Sequence, residues 1–259
     1  NPNLSPKGLS GPGPVTGARM ADISDNYLNQ LAKREAFSLG QQQESAEDPV
    51  YWINKADTHS AKYQFREAVY AYLMALRYTK DKSSPLAVRI MVALGIHYPY
   101  LFGDSVQNQN IAIDFLERAR AIDPVNESVL NNLIVANLDQ GHTTRALYLA
   151  RINLRSHLDS AEAWAILGYS FSTRRIFRVA FKLVKRALAI SPDNMEVNYY
   201  TGLIHEAYVG SLSIYDDASL MGAHFTQAER FYKRAVEIQP THPFPYKALS
   251  RLYGALKFS

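Results

Sequence analysis

Apolar positions along the chain recur at steps of three and four residues, the spacing that predicts amphipathic α-helices. The first such segment places Tyr27, Leu28 and Leu31 on one face, and we predict one N-terminal amphipathic helix within residues 20–48. Residues 1–19 differ, because they carry four prolines and four glycines with no aromatic residue and no periodicity. Such a segment buries too little apolar surface to offset its ordering entropy, so we expect a disordered tether or a remnant of cloning there.

The helical pattern repeats itself, and the unit at residues 161–194 shows the repeat most clearly. Its characteristic residues stand at fixed steps: Trp164, Leu167, Gly168, Phe171, Ala180, Ala187 and Pro192. Small residues such as Gly168 and Ala180 suit a place where two antiparallel helices cross closely. Pro192 ends the second helix because it has no amide hydrogen for the helical ladder. The closing segment occurs in three copies, RARAIDP, KRALAISP and KRAVEIQP.

This spacing resembles the tetratricopeptide repeat, whose units of about 34 residues follow the same order of large, small and closing residues. The resemblance covers residues 49–259 as about five repeats plus a C-terminal closing helix. It implies an all-α fold, a right-handed superhelical solenoid of antiparallel helix pairs. The repeat at residues 127–160 is degenerate, because Asn153 and Leu158 stand where Ala and Pro are usual.

The resemblance also implies a concave groove, lined by the first helices of successive repeats, in which partners bind. The candidate groove residues form a mixed apolar, amide and aromatic lining with a basic C-terminal end: Asp57, Asn131, Val135, Tyr169, Tyr199, Leu203, Lys247 and Arg251. Tyr169 and Tyr199 are either rigid anchors for a partner or ordinary packing tyrosines. Some tetratricopeptide domains grip a C-terminal carboxylate with Lys, Asn and Arg from three first helices. Only Lys247 and Arg251 match that clamp, so we reject chaperone-tail binding.

Positive charge is concentrated on the second helices of the central repeats. The chain as a whole carries a formal net charge of only +4, which does not argue for nucleic acid. The candidate convex patch consists of Arg151, Arg155, Arg175, Arg178, Lys182, Lys185 and Arg186. It is either a solvated face or a surface for an anionic second partner, such as an acidic protein, lipid headgroups or nucleic acid. Nucleic acid is the least favoured of these, since no aromatic stacking platform accompanies the charges.

An insertion after the last complete first helix breaks the repeat and is apolar for a loop: Tyr208, Leu212, Ile214 and Tyr215. Insertions in helical repeats often touch the partner, but this one could equally extend the flanking helices. The closing helix ends with Leu252, Tyr253 and Leu256, which is apolar for a cap. Self-association through that helix therefore stays open.

The sequence offers no recognisable catalytic chemistry. It has no glycine-rich phosphate loop, no HExxH or GxSxG motif, and no cysteine for thiol chemistry or disulfides. We therefore predict no enzymatic activity, no cofactor and no metal site. The favoured function is a scaffold or adaptor that binds a protein or peptide segment in the groove. The alternatives are an assembly factor of a bacterial envelope machine, such as a pilus or secretion system, and, less favoured, an RNA-binding helical repeat. No targeting signal or transmembrane run is visible, and the compartment stays open between cytoplasm and periplasm or envelope.

Overall fold

The computed structural model describes residues 24–39, 47–101, 105–212 and 218–256. Within these ranges the regular elements are all helical, which confirms the all-α prediction. The α-helices are α1 (Asp25–Leu39), α2 (Pro49–Ala61), α3 (Phe65–Tyr78), α4 (Pro85–His97), α5 (Ser105–Ile122), α6 (Glu127–Asp139), α7 (Thr143–Ser156), α8 (Ala161–Ser172), α9 (Phe177–Ile190), α10 (Met195–Val209), α11 (Ala218–Ile238) and α12 (Pro243–Leu256). None of the described helices combines the length and apolar character needed to cross a bilayer.

The chain divides into two compact units, Asn1–Pro124 and Val125–Ser259. The first unit contains two antiparallel helix pairs, α2 with α3 and α4 with α5, and α1 packs against α3. Asp48 and Ser84 cap the first helices of these pairs, each accepting a hydrogen bond from a backbone amide of the first turn. Such caps are worth about 1 kcal/mol each, and they fix where the helices begin. Trp52, fully buried, meets the ring of Tyr70 edge-on at 5.9 Å between centroids.

The second unit contains three helix pairs, α6 with α7, α8 with α9 and α10 with α11, and α12 packs on α11. Its first helices are capped in the same way as those of the first unit. Asn126, Ser160 and Asn194 each accept a hydrogen bond from the backbone amide three residues later. The second helices α7 and α9 begin without a side-chain cap. The turns before them use positive φ instead, at Gly141 and at Arg175.

Small residues stand where the helices cross, as the sequence predicts. A Cβ added to Gly168 would lie 3.2 Å from the carbonyl oxygen of Ala180 on the partner helix. A Cβ added to Gly202 would lie 2.5 Å from Cε1 of the buried Tyr232 ring. Real Cβ atoms essentially never approach as closely as 2.5 Å, so the crossing at Gly202 depends on glycine. The distance at Gly168 is tighter than most real Cβ contacts, so a Cβ there would require the neighbouring atoms to shift slightly.

Part of the sequence prediction falls outside the described residues. Residues 1–19, the expected tether, lie outside them, and the helix predicted within 20–48 is described as α1. In the insertion, Ile214 and Tyr215 also lie outside. The residues from Ala218 onward are helical, so this part of the insertion lengthens α11 rather than forming a loop.

Candidate partner-binding face

The first helices of the second unit carry most of the groove residues predicted from the sequence. We call the first-helix face the following set of side chains on α6, α8, α10 and α12: Glu127, Asn131, Val135, Glu162, Tyr169, Glu196, Tyr199, Tyr200, Leu203, Glu206, Lys247 and Arg251. Asp57 does not belong to this set, because it lies on α2 in the first unit. Its carboxylate accepts hydrogen bonds there from the Tyr72 hydroxyl (2.5 Å) and from Arg89 (3.0 Å).

Three half-buried tyrosines form the centre of this face. The ring centroids of Tyr169 and Tyr200 lie 5.6 Å apart, and those of Tyr200 and Tyr199 lie 5.7 Å apart. Burial is the main cause that raises the pKa of Tyr169, and it raises the pKa of Tyr199 to about 12. All three hydroxyls therefore stay protonated at neutral pH.

The hydroxyl groups of these three tyrosines are not used inside the protein. None of them makes a hydrogen bond to any residue within the described ranges. Among those residues only Tyr98, in the first unit, has a buried side-chain oxygen without a partner, so the three hydroxyls reach solvent. Their rings nevertheless pack on the core: Tyr169 against Ala180 and Val184, and Tyr199 against Tyr232. The two interpretations left open by the sequence, anchor and packing residue, are therefore compatible.

An acidic row crosses the same face at the starts of three first helices. Glu127, Glu162 and Glu196 each stand in the first turn of α6, α8 and α10. The carboxylate of Glu162 accepts hydrogen bonds from Asn194 (3.0 Å) and Asn131 (3.4 Å). Burial is the main cause that raises its pKa; the Asn194 hydrogen bond lowers it, and the charges of the other two glutamates raise it further. None of the three glutamates forms an ion pair with a described cation.

One of the two cations predicted for the basic C-terminal end of the groove forms an ion pair inside the protein. Arg251 on α12 donates from Nε to Oε1 of Glu206 and from Nη2 to Oε2, both at 2.7 Å. The buried Tyr232 hydroxyl donates to the same carboxylate at 2.5 Å. This bidentate pair offsets the charge of Arg251, and the basic end of the groove stays a prediction that rests on Lys247. Lys247 is exposed one turn earlier on the helix.

The remaining predicted groove residues are partly occupied by internal contacts. Asn131 accepts a hydrogen bond from the buried Asn153 at 2.6 Å, which explains how the degenerate repeat tolerates asparagine in place of alanine. Val135 is half-buried, and Leu203 packs against the buried cluster around Tyr232. The sequence analysis did not single out the acidic row. Its signal was available, because Glu162 and Glu196 stand one repeat length apart.

The predicted basic patch lies on the second helices α7 and α9 and on the turn before α9. Its residues are all exposed: Arg151, Arg155, Arg175, Arg178, Lys182, Lys185 and Arg186. Arg151 places its guanidinium 5.8 Å from the ring centroid of Phe171. The other six side chains make no hydrogen bond or ion pair with any described residue. The seven side chains of the patch are thus exposed, and six of them have no hydrogen-bond or ion-pair partner among the described residues. That the patch binds an anion stays a prediction.

The described part of the insertion packs on its own unit. Tyr208 lies 5.0 Å from Phe177 and 4.4 Å from His224, centroid to centroid. Nδ1 of His224 and Nδ1 of His205 are 2.8 Å apart, so one ring donates a hydrogen bond to the other. Burial, then the neighbouring His224, lowers the pKa of His205 to about 4. The sequence did not reveal this pair, since the two histidines are far apart in the chain. Leu212 is half-buried.

Stacked antiparallel helix pairs with glycine at the crossings define the class of the fold, which is that of tetratricopeptide repeat proteins. No family model matches the sequence, and no curated protein matches it. Solved structures do match, at low identity.

A tetratricopeptide repeat protein from Parabacteroides merdae is 16% identical, with a TM-score of 0.50 over 82% of this chain and 75% of that one. Residues 41 to the end of MamA from Desulfovibrio magneticus are 12% identical, with a TM-score of 0.52 over 74% of this chain and 98% of that one. The Cut9–Hcn1 hetero-tetramer of the APC/C is 16% identical, with a TM-score of 0.52 over 88% of this chain. This chain spans only 40% of the matching chain. At these identities the likeness shows the fold alone.

Proposed function

We propose that this chain is a non-enzymatic scaffold that binds a segment of another protein on the first-helix face of its second unit. One observation carries the proposal: three clustered tyrosines whose rings are fixed by packing present hydroxyls with no partner in the described residues. Rigid tyrosines with free polar tips are typical of the centres of protein interfaces. The Cut9–Hcn1 structure is a hetero-tetramer, an instance of this fold assembled with another chain.

The charges on the face favour a segment that carries basic or amide side chains. No cation of the described residues forms an ion pair with the acidic row, and Arg251 is already bound by Glu206. An extended or helical peptide with lysine or arginine would pair with the glutamates while its apolar side chains cover the tyrosine rings. An acidic partner would meet uncompensated carboxylates, and like-charge contacts of this kind oppose binding.

A peptide-display selection on the purified chain, followed by fluorescence anisotropy with the selected peptides, tests the proposal. Replacing Tyr169 and Tyr199 by phenylalanine keeps the packing and removes only the hydroxyls. We expect about 30-fold weaker binding, since each of the two lost hydrogen bonds is worth about 1 kcal/mol and about 1.4 kcal/mol is tenfold. Tyr148→Phe is the matched control, because Tyr148 is 63% exposed on α7, away from this face.

A second variant tests the expected preference for basic peptides. Glu162→Gln with Glu196→Gln keeps the size of both side chains and removes the charge, and we expect weaker binding of basic peptides. If the selected peptides bind the double phenylalanine variant and the glutamine variant as tightly as the unchanged chain, the first-helix face is not the binding site. Neither the envelope-machine nor the RNA-binding alternative has an observation in its favour among the described residues.

A further inference from the structure

A second surface of the same unit carries unpaired positive charge and takes no part in the proposed function. We call the basic stripe the seven exposed side chains whose charge has no internal hydrogen bond or ion pair in the described residues: Arg155, Arg174, Arg175, Arg178, Lys182, Lys185 and Arg186. Six of them lie on α9 or in the turn that precedes it. Arg155 lies near the end of α7.

The stripe is narrow and follows one face of α9. Arg178, Lys182, Lys185 and Arg186 are separated by steps of four, three and one residues, which places them on the same side of the helix over about 12 Å. The opposite side of α9 is buried through Ala180, Val184 and Ala187. The helix is therefore fixed against the core and presents its cations to solvent in one direction.

Some other exposed cations of the described residues do form ion pairs. In the second unit, Lys233 pairs with Glu229 at 2.6 Å, and Arg234 pairs with Asp193 at 2.6 Å. Like charges spaced four residues apart on a helix repel each other, so the stripe lowers the stability of α9 unless anions approach it. No acidic side chain of the described residues supplies them.

Exposed apolar side chains stand among the cations rather than in a separate patch. Ile176, 39% exposed, lies between Arg175 and Arg178, and Leu158, 62% exposed, follows Arg155 in the next loop. Such single apolar residues do not form the buried apolar centre that protein interfaces use. Cations with interspersed apolar side chains are instead the composition of surfaces that lie at the headgroup level of a membrane.

We propose that the basic stripe docks this protein on the surface of a bilayer that contains anionic lipids. The phosphates of the headgroups would pair with the arginines and lysines of α9. Ile176 and Leu158 would reach the boundary between headgroups and acyl chains. A bilayer surface can contact any exposed face and does not require a complementary shape. Charges that are spread over two helices and a turn can therefore all contact it. The proposal is independent of the first-helix face, because it uses none of its residues.

Vesicle co-sedimentation of the full chain tests the proposal with two variants of equal net charge. The stripe variant is Arg178→Glu with Lys182→Glu and Lys185→Glu. The control is Lys33→Glu with Lys62→Glu and Lys80→Glu, three exposed positions of the first unit without an ion pair in the described residues. Each variant lowers the formal net charge from +4 to −2, since three cations become anions. Circular dichroism checks that both fold.

We expect the unchanged chain to sediment with phosphatidylcholine vesicles containing about 30% phosphatidylglycerol at 0.1 M salt, and to be released at 0.5 M as the charges are screened. The control should bind within about threefold of the unchanged chain, and the stripe variant at least about 100-fold more weakly. Ile176→Ser with Leu158→Ser should weaken binding a few-fold at 0.1 M salt, because it removes the apolar part of the contact and leaves the charges unchanged.

Three results would overturn the proposal. The first is an unchanged chain that does not bind the anionic vesicles, and the second is an equal loss in both variants, which would indicate a net-charge effect. The third is stripe-dependent binding of a DNA duplex or of polyglutamate under conditions in which vesicles do not bind. That outcome would assign the stripe to nucleic acid or to an acidic protein.

Discussion

The crossing of α10 and α11 allows the packing argument to be tested with one methyl group. Gly202→Ala would place a Cβ 2.5 Å from Cε1 and 2.6 Å from Cδ1 of Tyr232. The Tyr232 ring cannot withdraw easily, because it is fully buried and its hydroxyl donates to Glu206. Either the two helices separate, or the ring leaves its position and gives up that hydrogen bond.

Two opposing effects set the size of the change. Overpacking a well-filled core lowers the free energy of unfolding by about 1–3 kcal/mol. Alanine is a better helix former than glycine by about 1 kcal/mol. Gly222 in α11 isolates the second effect, since a Cβ there would meet nothing within 4 Å. We therefore expect Gly222→Ala to raise the free energy of unfolding by up to about 1 kcal/mol and Gly202→Ala to lower it by up to about 2 kcal/mol.

Urea unfolding measures the difference in unfolding free energy between the two variants. The two tryptophans of the chain allow the unfolding of the second unit to be followed separately. Trp52 lies in the first unit and Trp164 in the second. In a Trp52→Phe protein the remaining tryptophan, Trp164, reports the unfolding of the second unit alone. The measurement therefore does not require that the two units unfold together. A Gly202→Ala protein as stable as the Gly222→Ala protein would refute the crossing geometry.

Three further changes test individual contacts of the second unit. His205→Gln should make the stability less sensitive to acid. The pKa of His205 is about 4 in the folded protein and 6.5 ordinarily, so the unfolded chain binds a proton first as the pH falls. The free energy of unfolding therefore decreases between pH 6.5 and pH 4. Urea titrations at pH 7 and pH 4.5 measure the loss of unfolding free energy between the two pH values. Because His205 is partly exposed, we expect this loss to be only about 1–2 kcal/mol smaller in the variant. An equal loss in both proteins would contradict this account. Tyr232→Phe removes the hydrogen bond to Glu206 and should lower the free energy of unfolding by about 1 kcal/mol, measured by urea titration. Asn153→Ala, the usual repeat residue, should destabilise rather than stabilise, by about 1 kcal/mol, because Oδ1 of the half-buried Asn131 on α6 loses its hydrogen-bond donor; a gain in thermal midpoint would count against this.

The helical framework could be predicted from sequence because its determinants are local. Repeating steps of large and small residues place the helix pairs, and short polar residues before each first helix act as caps. Gly168 shows this well: its role at a crossing follows from its place in the repeat, and the 3.2 Å approach to Ala180 confirms it. The helical continuation of the insertion from Ala218 was left open, since apolar residues there fit either a loop or a helix.

The charge balance of the first-helix face could not be predicted in the same way. It depends on which side chains of different helices meet, and Glu206 and Arg251 are brought together only by the packing of α10 and α12. Counting positions within one helix places Arg251 on the face but does not show that its charge is neutralised. The histidine pair between α10 and α11 was missed for the same reason, because the spacing of residues within one helix does not predict which side chains of two helices meet.

The two proposed surfaces of the second unit should act independently of each other. The acidic row is carried by first helices and the basic stripe mainly by α9, a second helix, so we expect a separation of one helix diameter, about 10 Å, between the two sets of charges. This distance is comparable to the Debye length of about 8 Å at physiological salt, and the exposed charges on the two surfaces are therefore largely screened from each other. The two surfaces share no side chain, so we expect binding at one to leave the packing of the other unchanged. A selected peptide should consequently bind the vesicle-bound chain with an affinity within about twofold of that for the free chain, and only reorganisation of the helix pairs would produce a larger change.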